Sequence, residues 1–365
     1  MTSTAEVQVN AEQAFAASYG EARHGFVAKA RAAGARLSTY RHRAAGPAGE
    51  PLAMDVAQIG AAGPSAVLVV LSATHGVEGF AGSAIQQAWL ATRPKLARGL
   101  AVILVHAVNP FGFAWLRRVN EDNVDVNRNF LDHTAAHPAN PDYDMLHPAL
   151  CPQRLTTATL TKAREAVGGF LATHGRAATF FALVAGQYRH ADGLYFGGWR
   201  RSWSAAKLTA ALRKRLAGAR SVGLIDIHTG FGAYGEAELM GCPVGGTAGR
   251  ALARDWFGDA TSPADGSSEF VENFGDTANV LDWAAPAATR AAITLEFGTR
   301  PEEQVFGAVQ ADNWLHRHGR LDSARGREIK AAIRDAFYPD AADWRARVLD
   351  TGVSVLDRAA GRLAG

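Results

Sequence analysis

Residues 74–79 read THGVEG and place an imidazole and a carboxylate three residues apart in a glycine-rich turn. A turn needs glycine for its backbone, but it has no need of His75 and Glu78 together. Another histidine, His228, ends the strand-like run SVGLIDIH. Two imidazoles, one carboxylate and a position open to water make up a catalytic zinc site. Taken singly, the His-x-x-Glu pair also fits a solvated turn, and His228 also fits a capping residue at a strand end.

The elements that would position these residues alternate between strands and helices. A helix is predicted over residues 11–34, followed by two strands, RLSTYRHR and LAMDVAQI, that a loop of glycine and proline joins. Buried strands are predicted at SAVLVVLSA, GLAVILVHAV, SVGLIDIH and RAAITLEFG. Further helices are predicted from residue 80 to just before Pro94, around 155–175, 203–217 and 246–257, and over most of the last 65 residues.

Apolar strands that alternate with helices are typical of a mainly parallel sheet covered on both faces. In such α/β folds, sites form outside the carboxyl ends of the strands. Three polar signatures, THGVE, DIHTG and LEFGT, fall at such ends. We therefore expect these three segments to meet at one edge of the sheet.

Composition excludes several other classes of protein. The 365 residues carry a net charge of +3 from 38 basic and 35 acidic side chains, and these are mixed along the chain. No basic block indicates nucleic-acid binding, and no apolar run approaches the roughly 20 residues of a membrane helix. The two cysteines, Cys151 and Cys242, are far apart, and the first residues lack the pattern of a secretion signal. We expect a cytoplasmic protein with no nucleic-acid or membrane partner.

Four motifs in order, THGVEG, NPFGFAWLRRVNEDNVDVNRNF, DIHTG and ITLEFGT, resemble the zinc carboxypeptidase superfamily. This superfamily includes the succinylglutamate desuccinylase and aspartoacylase relatives, and the likeness is greatest to a bacterial branch whose substrates are largely unassigned. The motifs extend over about 220 residues. The resemblance implies a three-layer α/β/α fold with a mixed, mainly parallel twisted sheet. We expect one zinc-hydrolase domain over residues 1–365, with an N-terminal helix and hairpin (1–60), a catalytic core (65–300) and C-terminal helices (301–365).

The resemblance implies a role for each matching residue. His75, Glu78 and His228 match the ligands of one zinc ion per chain, and Glu296 matches the glutamate that acts as general base and then acid. Arg118 matches the arginine that polarises the scissile carbonyl, and its neighbour Arg117 is the competing choice. Asn127 and Arg128 match the pair that holds the substrate's terminal carboxylate. Asp125 matches a carboxylate that is hydrogen-bonded to the first histidine ligand.

Two further assignments are less specific. Asp226 lies two residues before His228, so both side chains fall on one side of a strand, where Asp226 either supports the histidine or is simply a paired acid. Tyr234 is a candidate for the tyrosine with which family carboxypeptidases cap the substrate, or else it packs over a glycine-rich loop. The segment GQYRHADGLYFGGWR is a candidate pocket wall to which no chemistry can be assigned. His106 and His190 are predicted to be structural, and a second metal site is not indicated.

The expected activity is zinc-dependent cleavage of a peptide or amide bond next to a free carboxylate, with a small peptide or an N-acyl amino acid as substrate. An N-acyl amino acid deacylase resembling the desuccinylases is the alternative within this chemistry. The alternative from another class is a zinc-binding module without activity. A serine hydrolase is excluded because Ser83 in AGSAI lacks the second glycine of a nucleophile elbow. The sequence leaves the oligomeric state open.

Overall fold

The computed structural model describes residues 14–268 and 271–363. The strands are β1 (Arg36–Ala45), β2 (Pro51–Gly60), β3 (Ala66–Leu71), β4 (Leu100–His106), β5 (Ser221–Tyr234), β6 (Ala237–Gly241) and β7 (Thr289–Gly298). The helices are α1 (Tyr19–Ala32), α2 (Gly79–Ala91), α3 (Pro110–Ala114), α4 (Pro141–Leu150), α5 (Thr157–Val184), α6 (Trp203–Arg215), α7 (Gly246–Phe257), α8 (Val280–Ala284), α9 (Glu302–His318), α10 (Ala324–Phe337) and α11 (Ala342–Leu363).

The seven strands form one mixed sheet in the order β1-β2-β4-β3-β5-β7-β6. The central strands β4, β3, β5 and β7 are parallel to one another. The edges are antiparallel, with the hairpin β1–β2 on one side and β6 on the other. The central strands are the apolar runs of the sequence, because a parallel strand covered on both faces must be apolar on both. The predicted mixed sheet with a parallel core is confirmed.

Helices cover both faces of this sheet. Alternate residues of β3 point to opposite sides, so Leu68 and Val70 join one core while Val67 and Val69 join the other. The first core includes side chains of α1, α2, α7 and α11. The second core includes side chains of α6 and α8. The predicted three-layer arrangement is therefore present.

The structure differs from the predicted elements at a few places. The predicted helix at residues 11–34 is present as α1, and residues 11–13 of it lie outside the described part of the chain. The helix predicted around 155–175 extends as α5 to Val184, across a break at Gly175, where φ is +79°. The edge strand β6 and the helix α4 were not predicted, because a short half-buried strand and a proline-containing helix carry weak periodicity. Among the described residues, none of the helices combines the length and hydrophobicity that a bilayer crossing takes.

Candidate metal centre and substrate cavity

The three signatures meet at the carboxyl ends of β3, β5 and β7, as expected from the parallel core. His75 follows β3, and Glu78 ends a short 3-10 turn that leads into α2. His228 lies on β5 directly opposite Glu296 on β7. The sequence-distant members of the predicted site are thus brought together by strand register.

Gly76 allows the loop of His75 and Glu78 to pack against a second loop. A Cβ atom at Gly76 would lie 2.0 Å from the backbone carbon of Gly112 and 2.2 Å from the backbone nitrogen of Phe113. Real Cβ atoms essentially never approach that closely, so glycine is required here for contact rather than for a positive φ. The contact also carries backbone hydrogen bonds from Gly76 to Arg118 and from Val77 to Arg117.

The side chains of His75, Glu78 and His228 converge on one point and are all buried. Nδ1 of His75 lies 3.0 Å from Oε1 of Glu78, and Nδ1 of His228 lies 3.1 Å from Oε2 of the same carboxylate. The two Nδ1 atoms are 3.1 Å apart. Two atoms bound to one zinc ion at about 2.0–2.1 Å in a tetrahedron are about 3.3 Å apart, so the spacing of the two imidazole nitrogens and the carboxylate fits a zinc ion.

The outer nitrogens of both imidazoles face carboxylates. Nε2 of His75 lies 3.0 Å from Oδ1 of Asp125 in a hydrogen bond. Nε2 of His228 lies 3.0 Å from Oδ2 of Asp226, but in a bent orientation that is not an aligned hydrogen bond. A proton on each Nε2 leaves the lone pair of each Nδ1 directed at the shared point, which is the tautomer that a metal ligand needs. Asp226 is further held by the hydroxyl of Thr74 at 2.8 Å.

The electrostatics of the cluster follow from this pairing. Burial by itself lowers the pKa of His228, but the carboxylates of Asp226 and Glu78 outweigh it, and the pKa lies well above its ordinary value. Burial raises the pKa of Glu78, but the two imidazoles outweigh it and the net shift is downward. Two imidazole nitrogens and a carboxylate oxygen that are buried at one point need a shared positive charge. A metal cation bound between them would supply it.

Arg118, and not Arg117, reaches this cluster. Nε of Arg118 donates to Oδ2 of Asp125 at 3.0 Å, and its Nη1 donates to Oε1 of Glu78 at 3.3 Å. Arg117 instead donates to Asp312 and Asn123 on the other side of the loop. Of the two arginines that the sequence offers, Arg118 is the one that contacts a candidate ligand, and its role toward a carbonyl oxygen stays a prediction.

Glu296 lies beside the three ligands and keeps one oxygen anchored. Its Oε1 accepts a hydrogen bond of 3.0 Å from the backbone N–H of Phe231. Burial first, and then the negative charge of Glu78, raise the pKa of Glu296 to about 8. A carboxyl with a raised pKa can exchange protons with a reacting group near neutral pH.

Asn127 and Arg128 follow Asp125 in a short 3-10 turn, and both line the cavity. Oδ1 of Asn127 accepts from the backbone N–H of Thr277 at 2.8 Å. Three N–H groups of Arg128 donate to the backbone carbonyls of Val184 and Asn127, so the guanidinium also holds the end of α5. Contact with a substrate carboxylate stays a prediction for this pair, and in Arg128 it would involve the N–H groups that face the cavity.

Tyr195 is a wall residue whose place could not be derived from the sequence. Its ring lies 5.1 Å from the guanidinium carbon of Arg118 and 5.9 Å from that of Arg128, so it stands between the two cations. It belongs to the segment GQYRHADGLYFGGWR, whose glycines and aromatics were the only signal for a pocket wall. Its backbone φ is +52°, an uncommon conformation for a tyrosine that fixes the ring in this position.

Tyr234, the candidate capping residue, lies away from the cavity. It is 37% exposed, and its hydroxyl donates to Asp343 of α11 at 3.2 Å. It is not among the residues that line the cavity. The reason is that β5 continues through residue 234 and pairs there with Gly298, which turns the side chain toward the C-terminal helix.

The metal centre opens into a cavity of about 880 Å³. This volume lies in the range of sites for small molecules. One end is polar and holds the three candidate ligands, Glu296, Arg118, Asn127, Arg128 and Tyr195. The other end is mostly apolar and lies between α5 and α9.

The solved structures to which the chain is similar include carboxypeptidases and a succinylglutamate desuccinylase, all at low identity and with TM-scores below 0.5. The carboxypeptidase A of Helicoverpa armigera is 13% identical, with a TM-score of 0.43, over 87% of this chain and 73% of that one. The succinylglutamate desuccinylase of Chromobacterium violaceum is 16% identical, with a TM-score of 0.38, over 90% and 76%. A metallo-carboxypeptidase of Pseudomonas aeruginosa, in complex with (2-guanidinoethylmercapto)succinic acid, is 12% identical, with a TM-score of 0.40, over 92% and 68%.

No curated protein matches the chain by sequence. A protein family does match, over residues 15–351 and so over most of the chain. The matched range includes every candidate ligand and Glu296. The chain belongs to the family described as "Protein of unknown function (DUF2817)".

Proposed function

We propose that this protein is a zinc-dependent hydrolase that cleaves a peptide or amide bond next to a free carboxylate, with one zinc ion per chain. The observation that carries the proposal is the buried convergence of His75, Glu78 and His228, backed by carboxylates and open to a cavity. Two imidazoles, one carboxylate and an open position are the ligand set of catalytic rather than structural zinc.

The role that we propose for each side chain follows from its position. When bound, zinc lowers the pKa of water from about 15.7 to about 7 and polarises a carbonyl oxygen. Glu296 would accept a proton from the attacking water and deliver it to the leaving amine. Arg118, fixed by Asp125 and Glu78, would stabilise the negative charge that develops on the carbonyl oxygen. Arg128 carries the planar fork that suits a substrate carboxylate.

The alternative of a zinc-binding module without activity is weakened by Glu296. A carboxylate that is buried next to the ligands, and that takes no part in the ligand set, has a role in proton transfer but none in simple metal retention. The N-acyl amino acid deacylase stays a second candidate, favoured by the apolar end of the cavity.

The test compares wild type with Glu296→Gln after zinc loading. We expect the variant to retain zinc and to lose about 10²–10⁴-fold in kcat for hydrolysis of C-terminal peptides or N-acyl amino acids. Bound zinc is measured by elemental analysis and turnover by release of the free amine. Full activity in the zinc-loaded variant would contradict the role of Glu296, and turnover of no substrate by either protein would support the binding module.

A further inference from the structure

The apolar end of the cavity is built from one face of each of two helices. From α5 the lining residues recur at helical spacing: Leu160, Ala163, Arg164, Val167, Gly168 and Leu171. From α9 they include Glu303, Phe306, Gly307 and Gln310, again at spacings of three and four. Val167 and Phe306 pack against one apolar cluster and Leu160 packs against another, so the stripes are partly packed and also line the cavity. Leu171 is 44% exposed.

Gly168 and Gly307 both line this end of the cavity. At either glycine an added Cβ atom would meet no heavy atom within 4 Å, and neither has a positive φ. Glycine within a helix costs about 1 kcal/mol relative to alanine. Neither close packing nor backbone conformation therefore requires glycine at these two positions, and a larger side chain at either would extend from the wall of the cavity, of which Gly168 forms an exposed part.

The polar side chains of this end are already paired. Glu303 lies 3.5 Å from Arg164, and Glu302 lies 3.0 Å from Arg176, so that the acids at the start of α9 are matched by arginines of α5. The amide nitrogen of Gln310 donates to the backbone carbonyl of Leu150 at 2.7 Å. A ligand here meets side chains of two helices, whose backbone groups are bonded internally.

We propose that this end of the cavity holds the linear apolar chain of a medium- or long-chain N-acyl amino acid, whose amide lies at the metal centre. The inference rests on the proposed function and names its substrate class. A peptide extended between two helical faces would bury backbone N–H and C=O groups without partners, whereas an alkyl chain has none to satisfy. The volume of about 880 Å³ exceeds what a single amino acid side chain fills and suits a chain beside a head group.

The reaction is balanced with water alone. Hydroxide derived from one water molecule adds to the amide carbon, and the C–N bond breaks. The water's second proton passes through Glu296 to the leaving nitrogen, so a fatty acid and a free amino acid are released. No oxidant or other co-reactant is needed.

The first arm of the test measures binding, without turnover. Butanoate, octanoate and dodecanoate are titrated into the zinc-loaded protein by calorimetry. Affinity should rise by about fourfold per added CH₂ while the chain still lies inside the cavity. The variants Gly168→Leu and Gly307→Leu fill the space and should weaken dodecanoate binding at least 10-fold while leaving butanoate unchanged. Gly169→Leu is the matched control, because Gly169 also has open space around it but does not line the cavity.

The second arm compares kcat/KM for N-acetylglycine, N-octanoylglycine and N-dodecanoylglycine in the same four proteins. We expect kcat/KM to rise with chain length in wild type and Gly169→Leu, and the rise to be lost in Gly168→Leu. Chain-length-dependent binding without hydrolysis of any substrate would leave the inference standing and overturn the proposed function. Hydrolysis with flat chain-length dependence in both arms, or equal behaviour of Gly168→Leu and Gly169→Leu, would overturn the inference alone.

Discussion

His106 and His228 lie toward the carboxyl ends of two central strands, β4 and β5, and both are almost fully buried. Their surroundings are opposite. His106 stacks on Phe26 and shares one hydrogen bond with Ser83, so burial lowers its pKa to about 4. His228 faces two carboxylates, which outweigh burial and raise its pKa.

The difference shows what distinguishes a site from a core in this fold. Both residues are histidines on central strands of the same sheet. What differs is the balance of charge, since Glu78 and Asp226 outweigh burial at His228, whereas at His106 the carboxylate of Asp55, which pairs with Arg23, does not. The histidine whose ring nitrogen meets a hydroxyl is part of the core, and the histidine with a carboxylate at each ring nitrogen belongs to the candidate metal centre.

The largest effect on the charged side of this comparison is expected from Arg118. Replacement in Arg118→Met removes the cation beside Asp125 and Glu78. We expect kcat/KM to fall by about 10²–10³, equivalent to about 2.7–4 kcal/mol of transition-state stabilisation, with zinc retained. Steady-state kinetics of the zinc-loaded variant checks this. Arg117→Met is the control, because it breaks the pair with Asp312 and should reduce stability rather than kcat. Equal losses of kcat in both variants would remove the distinction between the two arginines.

The neutral side of the comparison predicts a pH effect on stability. The pKa of His106 is about 4 when folded and about 6.5 when unfolded, so the unfolded chain binds the extra proton first. The contribution of neutral His106 to the free energy of unfolding is therefore complete above pH 6.5, and it is lost as the pH falls through 6.5 toward 4. The loss amounts to about 3 kcal/mol. Urea unfolding of wild type and His106→Gln between pH 7 and 4 measures it. The free energy of unfolding of His106→Gln should fall less steeply with decreasing pH than that of wild type. Parallel pH curves for the two proteins would show that His106 is not the cause of the decline.

A smaller effect is expected from the carboxylate behind His75. In Asp125→Asn the imidazole loses a charged partner, and zinc affinity should fall by about 10–100-fold, or about 1.4–2.7 kcal/mol. Competition with a chromogenic chelator measures this affinity. Asp55→Asn provides the matched control in the region of His106, since Asp55 is equally buried but pairs with Arg23. The Asp55→Asn change should lower stability and leave zinc affinity unaltered. A drop in zinc affinity in Asp55→Asn but not in Asp125→Asn would contradict the role of Asp125 in supporting His75.

The sequence was sufficient for the fold class and the central strands, which have local signatures, whereas the residues of the candidate metal centre followed from four motifs taken together in their order. Apolar runs predict buried parallel strands, and polar signatures at their ends predict a common site. The position of Tyr234 outside the cavity and of Tyr195 inside it could not be predicted from the local sequence pattern. Strand β5 continues past its apolar run, and a loop with a positive φ at residue 195 brings the ring between two arginines.

The apolar end of the cavity was equally hidden from the sequence. Leu160, Val167 and Leu171 have the spacing of an ordinary buried helical face, which predicts packing against a neighbour. In the structure Leu160 and Val167 do pack against such neighbours, and the same face also lines the cavity beside α9. In the sequence, Gly168 and Gly307 indicate only a lower helix propensity. The structure shows that no atom lies within 4 Å of a Cβ atom added at either position.

The most direct test of the metal centre is the zinc content of three proteins, wild type, His228→Ala and His106→Gln, after dialysis against a weak chelator. One zinc ion per chain is expected in wild type and in His106→Gln, and close to none in His228→Ala, with all three folded by circular dichroism. Full zinc occupancy in His228→Ala, or its loss in His106→Gln, would contradict the assignment of the metal centre.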